Sequence, residues 1–164
     1  MNNSQNLAGY LRLMKDILAR KRTAMNKIID YTNAQAKVLA AEEFDDEAFD
    51  DYIGLKQAEI DKINELDDGF TAVYNKIEGD LKNNSKEFES IIKEIQGIIT
   101  EVTDMSVKIG MLEKKNWDAF EKRRNEIKRT VKTFGVNRQT ASSYYKNMSG
   151  VGGEAGPVFM DQKK

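Results

Sequence analysis

The chain of 164 residues contains no cysteine, no histidine, one proline and one tryptophan. Without cysteine it has no thiolate nucleophile, no disulfide and none of the usual sulfur ligands of zinc. Without histidine it lacks the commonest general base and the commonest metal ligand. No catalytic pair stands out among the many charged residues. We therefore predict no enzymatic activity, no metal site and no cofactor.

Residues that break helices are concentrated at one end of the chain. The single proline is Pro157, and glycine is dense after residue 134. Over residues 1–134 an apolar side chain recurs every three or four positions, which is the spacing of one helical face. The pattern predicts an all-α fold, an antiparallel three-helix coiled-coil bundle with an extended third helix and a flexible C-terminal tail. The predicted helices span residues 4–40, 47–82 and 86–134, and the glycine-rich tail spans residues 135–164, with a short helix considered at 138–148.

A few polar residues interrupt the predicted apolar seams. Lys21 lies in the seam of the first helix, and Lys56 lies in that of the second, as does Asp67 unless Leu66 turns inward. The second helix is expected to continue through Gly69, although glycine costs about 1 kcal/mol in a helix interior, because the apolar phase is the same on both sides. Asn84 has capping-box spacing to the glutamate three residues later, which predicts the start of the third helix.

Charge is segregated along the chain, although the formal net charge is only −1. Residues 1–40 carry seven basic and two acidic side chains, residues 41–80 three basic and fourteen acidic, and residues 81–134 twelve basic and nine acidic. An acidic second helix between two basic ones favours antiparallel hairpins and disfavours the pairing of like segments. Because each exposed ion pair contributes less than about 1 kcal/mol, we interpret the pattern as specifying arrangement more than stability.

The third predicted helix is longer than its partners. At about 1.5 Å per residue it reaches roughly 70 Å, against roughly 55 Å for either of the others, so residues 120–134 are expected to extend beyond the bundle. This overhang is basic and amphipathic, a pattern that suits a partner helix, an anionic membrane or a nucleic acid. A partner helix is favoured over nucleic acid, because the domain is net acidic. The alternative is that the apolar side of the overhang completes the core.

The apolar and aromatic residues of the overhang and the tail are the candidate partner-binding residues. In the tail, two adjacent tyrosines stand in a polar segment that could form a short recognition helix ordered by binding, or a helix packed back on the bundle. An apolar hook follows the glycine-rich stretch. The candidates are Trp117, Phe120, Ile127, Val131 and Phe134 in the helix, and Tyr144, Tyr145 and Phe159 in the tail.

The location of the protein is also indicated by composition. The polar N-terminal segment is unlike a secretory signal, and no apolar run approaches the ~20 residues of a membrane-spanning helix. The absence of cysteine fits a reducing compartment. We therefore expect a cytoplasmic protein that is not inserted in a membrane.

Four segments resemble the FlgN-type flagellar export chaperones, small cytoplasmic proteins of bacterial motility. They are LAGYLRLMKDIL at 7–18, NAQAKVL at 33–39, LKQAEIDKI at 55–63 and FMDQKK at 159–164. The resemblance implies a helical bundle that binds the C-terminal helical region of hook–filament junction proteins. It implies that these clients are kept from premature assembly and delivered to the cytoplasmic domain of the export gate. It also implies client binding mainly in the C-terminal portion, and gate docking by a tyrosine, here Tyr144 or Tyr145.

Two other functions are left open by the sequence. A filament-cap chaperone of the FliT kind is equally helical, and only the identity of the partner separates it from a junction-protein chaperone. A structural coiled-coil or adaptor protein that self-associates is the alternative from another class. A homodimer is compatible with each of these functions.

Overall fold

The computed structural model describes residues 3–130, and within this range every secondary-structure element is an α-helix. Helix α1 spans Asn3–Ala40, α2 spans Asp46–Asn83 and α3 spans Glu89–Thr130. The predicted all-α, three-helix fold is therefore confirmed. Outside the described residues lie the predicted tail at 135–164 with its short helix at 138–148, and the candidate residues Val131, Phe134, Tyr144, Tyr145 and Phe159.

Side-chain contacts show that α1 and α2 run antiparallel. Lys21 of α1 contacts Asp67 of α2, and Thr32, farther along α1, contacts Lys56, which lies earlier in α2. Only residues 41–45 connect the two helices. Such a short connection forces neighbouring helices into a hairpin.

Helices α1 and α3 run parallel to one another. Lys15 pairs with Glu94 at 3.1 Å, and Arg22 pairs with Glu101 at 3.0 Å, so both helices advance in the same direction. Helix α1 packs along most of its length against both other helices. The result is an up–down–up bundle in which α1 holds α2 and α3 together.

The first connection ends in a helix cap that the sequence encodes locally. The Asp45 side chain accepts a hydrogen bond from the backbone N–H of Ala48 at 3.0 Å, which satisfies one of the free donors of the first turn. Helix α2 then continues through Gly69 as predicted, and a Cβ at that position would lie 3.8 Å from Ile17 Cδ1 of α1. That distance is an ordinary contact, so Gly69 is not required there by space.

The second connection differs from the prediction. Asn84 is the C-cap of α2, because its backbone N–H donates to Leu81 O and its side-chain amide donates to Asp80 O at 2.8 Å. The prediction that Asn84 caps the start of the third helix is therefore wrong. Helix α3 begins at Glu89, three residues after the predicted start at Lys86.

Most of the core is one apolar cluster that follows α1. Its side chains recur on one face of α1 and meet the inner faces of α2 and α3. Burial of apolar surface stabilises the fold by roughly 25 cal/mol per Å². The most deeply buried members are Leu7, Leu11, Met14, Leu18, Ala24, Met25, Ile28, Ile63, Ile77, Val102 and Ile109.

The part of α3 that extends past the start of α2 begins later than predicted. Glu113 lies level with Lys56, and seven residues later Phe120 lies level with Phe49. Three more residues along both helices reach the first residue of α2, so among the described residues only 124–130 pass it. Seven residues are about 10 Å of helix. The overhang therefore begins after Phe120, which lies inside the bundle.

Two general properties hold for residues 3–130. No helix in this range combines the length and the hydropathy needed to cross a membrane. No group of three or more acidic side chains in this range is arranged to hold a metal ion.

Candidate functional site

A second, smaller apolar cluster closes the bundle next to the α1–α2 connection, and we call it the end cluster. Its buried members are Leu39 of α1, Phe49 and Ile53 of α2, and Phe120 of α3. The rings of Phe49 and Phe120 are stacked with their centroids 5.5 Å apart, a favourable aromatic separation. Val38, Phe44, Trp117 and Ala119 pack against the cluster.

Three of the predicted partner-binding residues lie in the described part of α3, and none is on an open apolar strip. Phe120 is 1 % exposed and Ile127 is 8 % exposed. Trp117 is half-buried, with its ring centroid 6.4 Å from that of Phe120. The expectation that the apolar side of the overhang is open to a partner is therefore wrong at Phe120 and Ile127, where the alternative that it completes the core applies. For Phe120 the physical reason is the register of α3, which sets its ring against Phe49 in the core.

Part of the predicted basic stretch has a structural role. Arg123 Nη2 donates to the backbone oxygen of Glu42 at 2.7 Å, and its guanidinium lies 5.9 Å from the ring centroid of Phe44. Its Nη1 lies 3.6 Å from Glu126 Oε2. Because Glu42 and Phe44 belong to the α1–α2 connection, Arg123 ties that connection to α3.

A layer of buried polar side chains separates the end cluster from the main core, and we call it the polar layer. Lys56 forms an ion pair with Glu113 and lies 3.4 Å from Thr32 Oγ1, which itself lies 3.0 Å from Glu113 Oε1. Asn116 donates from Nδ2 to the backbone oxygen of Thr32 at 2.8 Å. Gln35 donates from Nε2 to a backbone oxygen of α2 at 3.2 Å. All three helices contribute to the layer.

The lysine of the polar layer has a perturbed pKa. Burial disfavours its charged form and lowers the pKa of Lys56 below its ordinary value, while the neighbouring Glu113 opposes that shift. Perturbed lysines are frequent in active sites. Here, however, Lys56 is 0 % exposed and Glu113 is 4 % exposed, so a substrate has no access to the pair. We interpret the polar layer as a device that fixes the register of the three helices.

A second buried ion pair lies deeper in the bundle. Lys21 Nζ of α1 lies 2.8 Å from Asp67 Oδ1 of α2, and their side chains are 0 % and 3 % exposed. In the sequence, Lys21 interrupts the apolar seam of the first helix and Asp67 that of the second. The structure shows that these two polar residues are each other's partners. Removing either partner would leave a buried charge, which is strongly destabilising.

A shallow surface groove runs beside the end cluster, between the C-terminal parts of α1 and α3, and we call it the basic groove. Three alanines and four basic side chains are among the residues that line it. Small side chains on a helix allow another backbone to approach closely. The lining residues are Ala36, Lys37, Leu39 and Ala40 of α1, and Lys115, Asn116, Ala119, Lys122, Arg123 and Glu126 of α3.

Three of the four cations of the basic groove have no carboxylate partner within residues 3–130. Lys37, Lys115 and Lys122 are exposed, and no carboxylate oxygen of that range lies within 4.0 Å of any of them. Arg123 is instead held by Glu126 and by the α1–α2 connection. An acidic surface docking here would meet three cations for which residues 3–130 supply no competing carboxylate.

The candidates named from the sequence lie towards the same end of α3 as the basic groove, but none of them lies on α1. Lys122 belongs to the predicted basic stretch, whereas Lys37, Ala36 and Ala40 were not identified as candidates. Their position beside α3 depends on the register set by distant contacts, which local periodicity does not report. One usable signal was present, because Ala36 and Ala40 are four residues apart and therefore share a helical face.

Comparison with known proteins adds no relative. No protein-family model, no curated protein and no solved structure matches the chain. What this surface binds has therefore to be inferred from its own side chains.

Proposed function

We propose that the protein is a non-catalytic, chaperone-like binding protein that captures an acidic helical segment of a partner protein in the basic groove. The observation that carries the proposal is a groove lined by three alanines together with Lys37, Lys115 and Lys122, which have no carboxylate partner within residues 3–130. A helix lying between α1 and α3 would bury apolar side chains on the alanines and bring carboxylates to the lysines. This is helix-in-groove recognition, in which charge complementarity contributes specificity and association rate more than affinity.

The specific form of the proposal is a flagellar export chaperone. The resemblance to the FlgN-type family supports it, together with the position of the basic groove towards the C-terminal part of α3. The clients would be the C-terminal helices of hook–filament junction proteins, held unassembled in the cytoplasm and delivered to the cytoplasmic domain of the export gate. Val131, Phe134 and Phe159 remain candidate client contacts, and Tyr144 or Tyr145 the candidate gate contact.

Calorimetric titration with synthetic C-terminal helices of hook–filament junction proteins tests this proposal. We expect the wild-type chain to bind such a peptide. The double variant Lys115→Glu/Lys122→Glu is expected to bind at least about tenfold more weakly, because like charges would then face the acidic helix. Circular dichroism should show unchanged helicity, since both lysines are exposed.

A matched control separates docking in the groove from general attraction between opposite charges. Lys86→Glu/Lys108→Glu changes the net charge by the same amount at exposed positions that do not line the groove. Its affinity should stay close to that of the wild type. An equal loss in both double variants, or no loss in the groove variant, would refute the proposed site.

Two alternatives give different outcomes in the same set of measurements. Binding of a filament-cap protein's C-terminal helix, without binding of junction-protein helices, would indicate a chaperone of the FliT kind. Open-ended assembly in sedimentation, with no binding of any client helix, would indicate a structural coiled-coil adaptor.

A further inference from the structure

One face of α3 carries no charge, although about a third of the chain's residues are charged. Over residues 96–111 it is formed by amides, hydroxyls, aliphatic side chains and one glycine, and we call it the neutral face. It runs for about 22 Å, or four helical turns. Its residues are Gln96, Ile99, Thr100, Thr103, Val107, Gly110 and Met111.

The neutral face points away from the core of the same chain. Val107 lies two residues before Ile109, a rotation of about 200° around the helix, and Ile109 is 0 % exposed whereas Val107 is 57 % exposed. Met111 is 69 % exposed and Ile99 is 36 % exposed. These three are among the most exposed large apolar side chains of the described residues, and they lie on one stripe.

The threonine hydroxyls of the neutral face donate their hydrogen bonds to the helix backbone and not to water. The Thr100 hydroxyl donates to the backbone oxygen of Gln96 at 3.1 Å, and the Thr103 hydroxyl donates to the backbone oxygen of Ile99 at 2.7 Å. With the hydroxyls turned back to the helix, the threonine methyl groups are left for outward contacts. A Cβ at Gly110 would meet no atom within 4 Å, so another helix can approach closely there.

The charge pattern of the chain indicates what can cover this face. Pairing of α1 with α1 would oppose basic surfaces, and pairing of α2 with α2 would oppose acidic ones, since residues 1–40 carry seven basic and two acidic side chains and residues 41–80 three basic and fourteen acidic. The neutral face opposes no like charges when it meets itself. It also offers no charge with which to select the acidic helix proposed for the basic groove.

We infer that the neutral face of α3 is a homodimer interface, in which α3 of one copy packs against α3 of a second copy of this chain. The α3 residues that line the basic groove, from Lys115 to Glu126, lie outside the stretch 96–111 that forms the neutral face. The inference does not depend on the identity of the client. It predicts a closed dimer and not an open-ended assembly.

Sedimentation of the full chain tests the inference. The wild type is expected to be a dimer at high micromolar concentration and to dissociate on dilution. Val107→Glu should weaken self-association at least about tenfold, because a symmetric interface then contains two added charges. Lys108→Gln changes the net charge by the same amount at the next residue, off the neutral face, and should leave the dimer unchanged.

A second measurement uses the absence of cysteine from the chain. Single-cysteine variants at Thr103, Val107 and Met111 should form disulfide-linked dimers on mild oxidation, fastest at the position nearest the symmetry axis. Lys108→Cys, which is exposed but off the neutral face, should link much more slowly.

Three results would overturn the inference. The first is a wild-type monomer at all concentrations, and the second is a dimer that Val107→Glu leaves intact. The third is a monomer whose client binding is lost in Val107→Glu, which would assign the neutral face to another protein. Failure of client binding in the basic groove would refute the proposed function but leave this interface intact.

Discussion

The two ends of the bundle are built differently. Where α1 begins, the buried residues Leu7, Leu11, Met14 and Leu18 follow one another without a polar interruption, and we call this the apolar end. At the other end, the polar layer lies between the main core and the end cluster. The basic groove is found at this second end, beside the end cluster.

The difference shows how stability and register are divided along the same three helices. At the apolar end, burial requires only that hydrophobic surfaces meet. Hydrophobic side chains of similar size could pack there in several arrangements. In the polar layer, Lys56 and Glu113 form their ion pair only when α2 and α3 are level with one another. Buried polar groups without partners are costly, so the layer disfavours every other register. The same register places Lys37 of α1 beside Lys115 of α3.

The largest loss of stability is expected when one partner of the ion pair in the polar layer is removed. Lys56→Met leaves the Glu113 carboxylate buried without its cation, and we expect the free energy of unfolding to fall by about 3 to 5 kcal/mol. Urea denaturation measures it. In Lys56→Met/Glu113→Leu, which removes both charges, most of the loss should be recovered. A double variant as unstable as the single one would mean that the pair itself contributes the stability, against our interpretation.

A slightly smaller effect tests whether the end cluster is truly core. Phe120→Ala should lower the free energy of unfolding by about 3 kcal/mol, because a buried aromatic side chain is removed and a cavity remains. Lys108→Ala, at an exposed position of the same helix that lies off the neutral face, is the control and should change stability by less than about 0.5 kcal/mol. If both variants lowered the free energy of unfolding by similarly small amounts, Phe120 would not be a core residue.

The pH dependence of stability should distinguish the polar layer from the apolar end. Burial lowers the pKa of Lys56 from its ordinary 10.5. Between the lowered value and 10.5 the unfolded chain holds a proton that the folded chain has released, so the free energy of unfolding rises with pH in that window. Relative to Lys56→Met/Glu113→Leu, the wild type should therefore gain stability as the pH rises towards 10.5. A difference that is flat or falls across this window contradicts the account.

The smallest effect is expected for the ion pairs on the surface of the apolar end. Lys15 and Glu94 are about half-exposed and 3.1 Å apart, and Lys15→Gln should cost less than about 1 kcal/mol. The loss should shrink further in high salt, because screening weakens exposed pairs. If Lys15→Gln lowered the free energy of unfolding as much as Lys56→Met, burial would not determine how much an ion pair contributes to stability.

The sequence contained enough information for the fold, because three long apolar periodicities separated by short polar stretches permit few alternatives. It also identified Lys21, Lys56 and Asp67 as seam residues. It did not identify their partners, since Lys21 and Asp67 are 46 positions apart and Lys56 and Glu113 are 57 apart. Their pairing depends on the register of whole helices, which no local pattern encodes.

The two errors have different causes. Asn84 has a side chain that caps either end of a helix, and the residues after it form a turn before α3 begins. The position of the overhang was inferred from helix lengths alone, which do not report how far α3 is shifted along α2. The shift brings Phe120 level with Phe49. The candidate site therefore moved from an apolar strip on α3 to a groove shared with α1.

Hydrogen–deuterium exchange of the full chain, with and without an acidic client helix, tests the central claim most directly. The account predicts that the client slows exchange at residues 34–40 of α1 and 113–126 of α3, which contain the basic groove, and leaves residues 7–18 of the apolar end unchanged. Slower exchange confined to the apolar end, or to residues 96–111 of the neutral face, would contradict it.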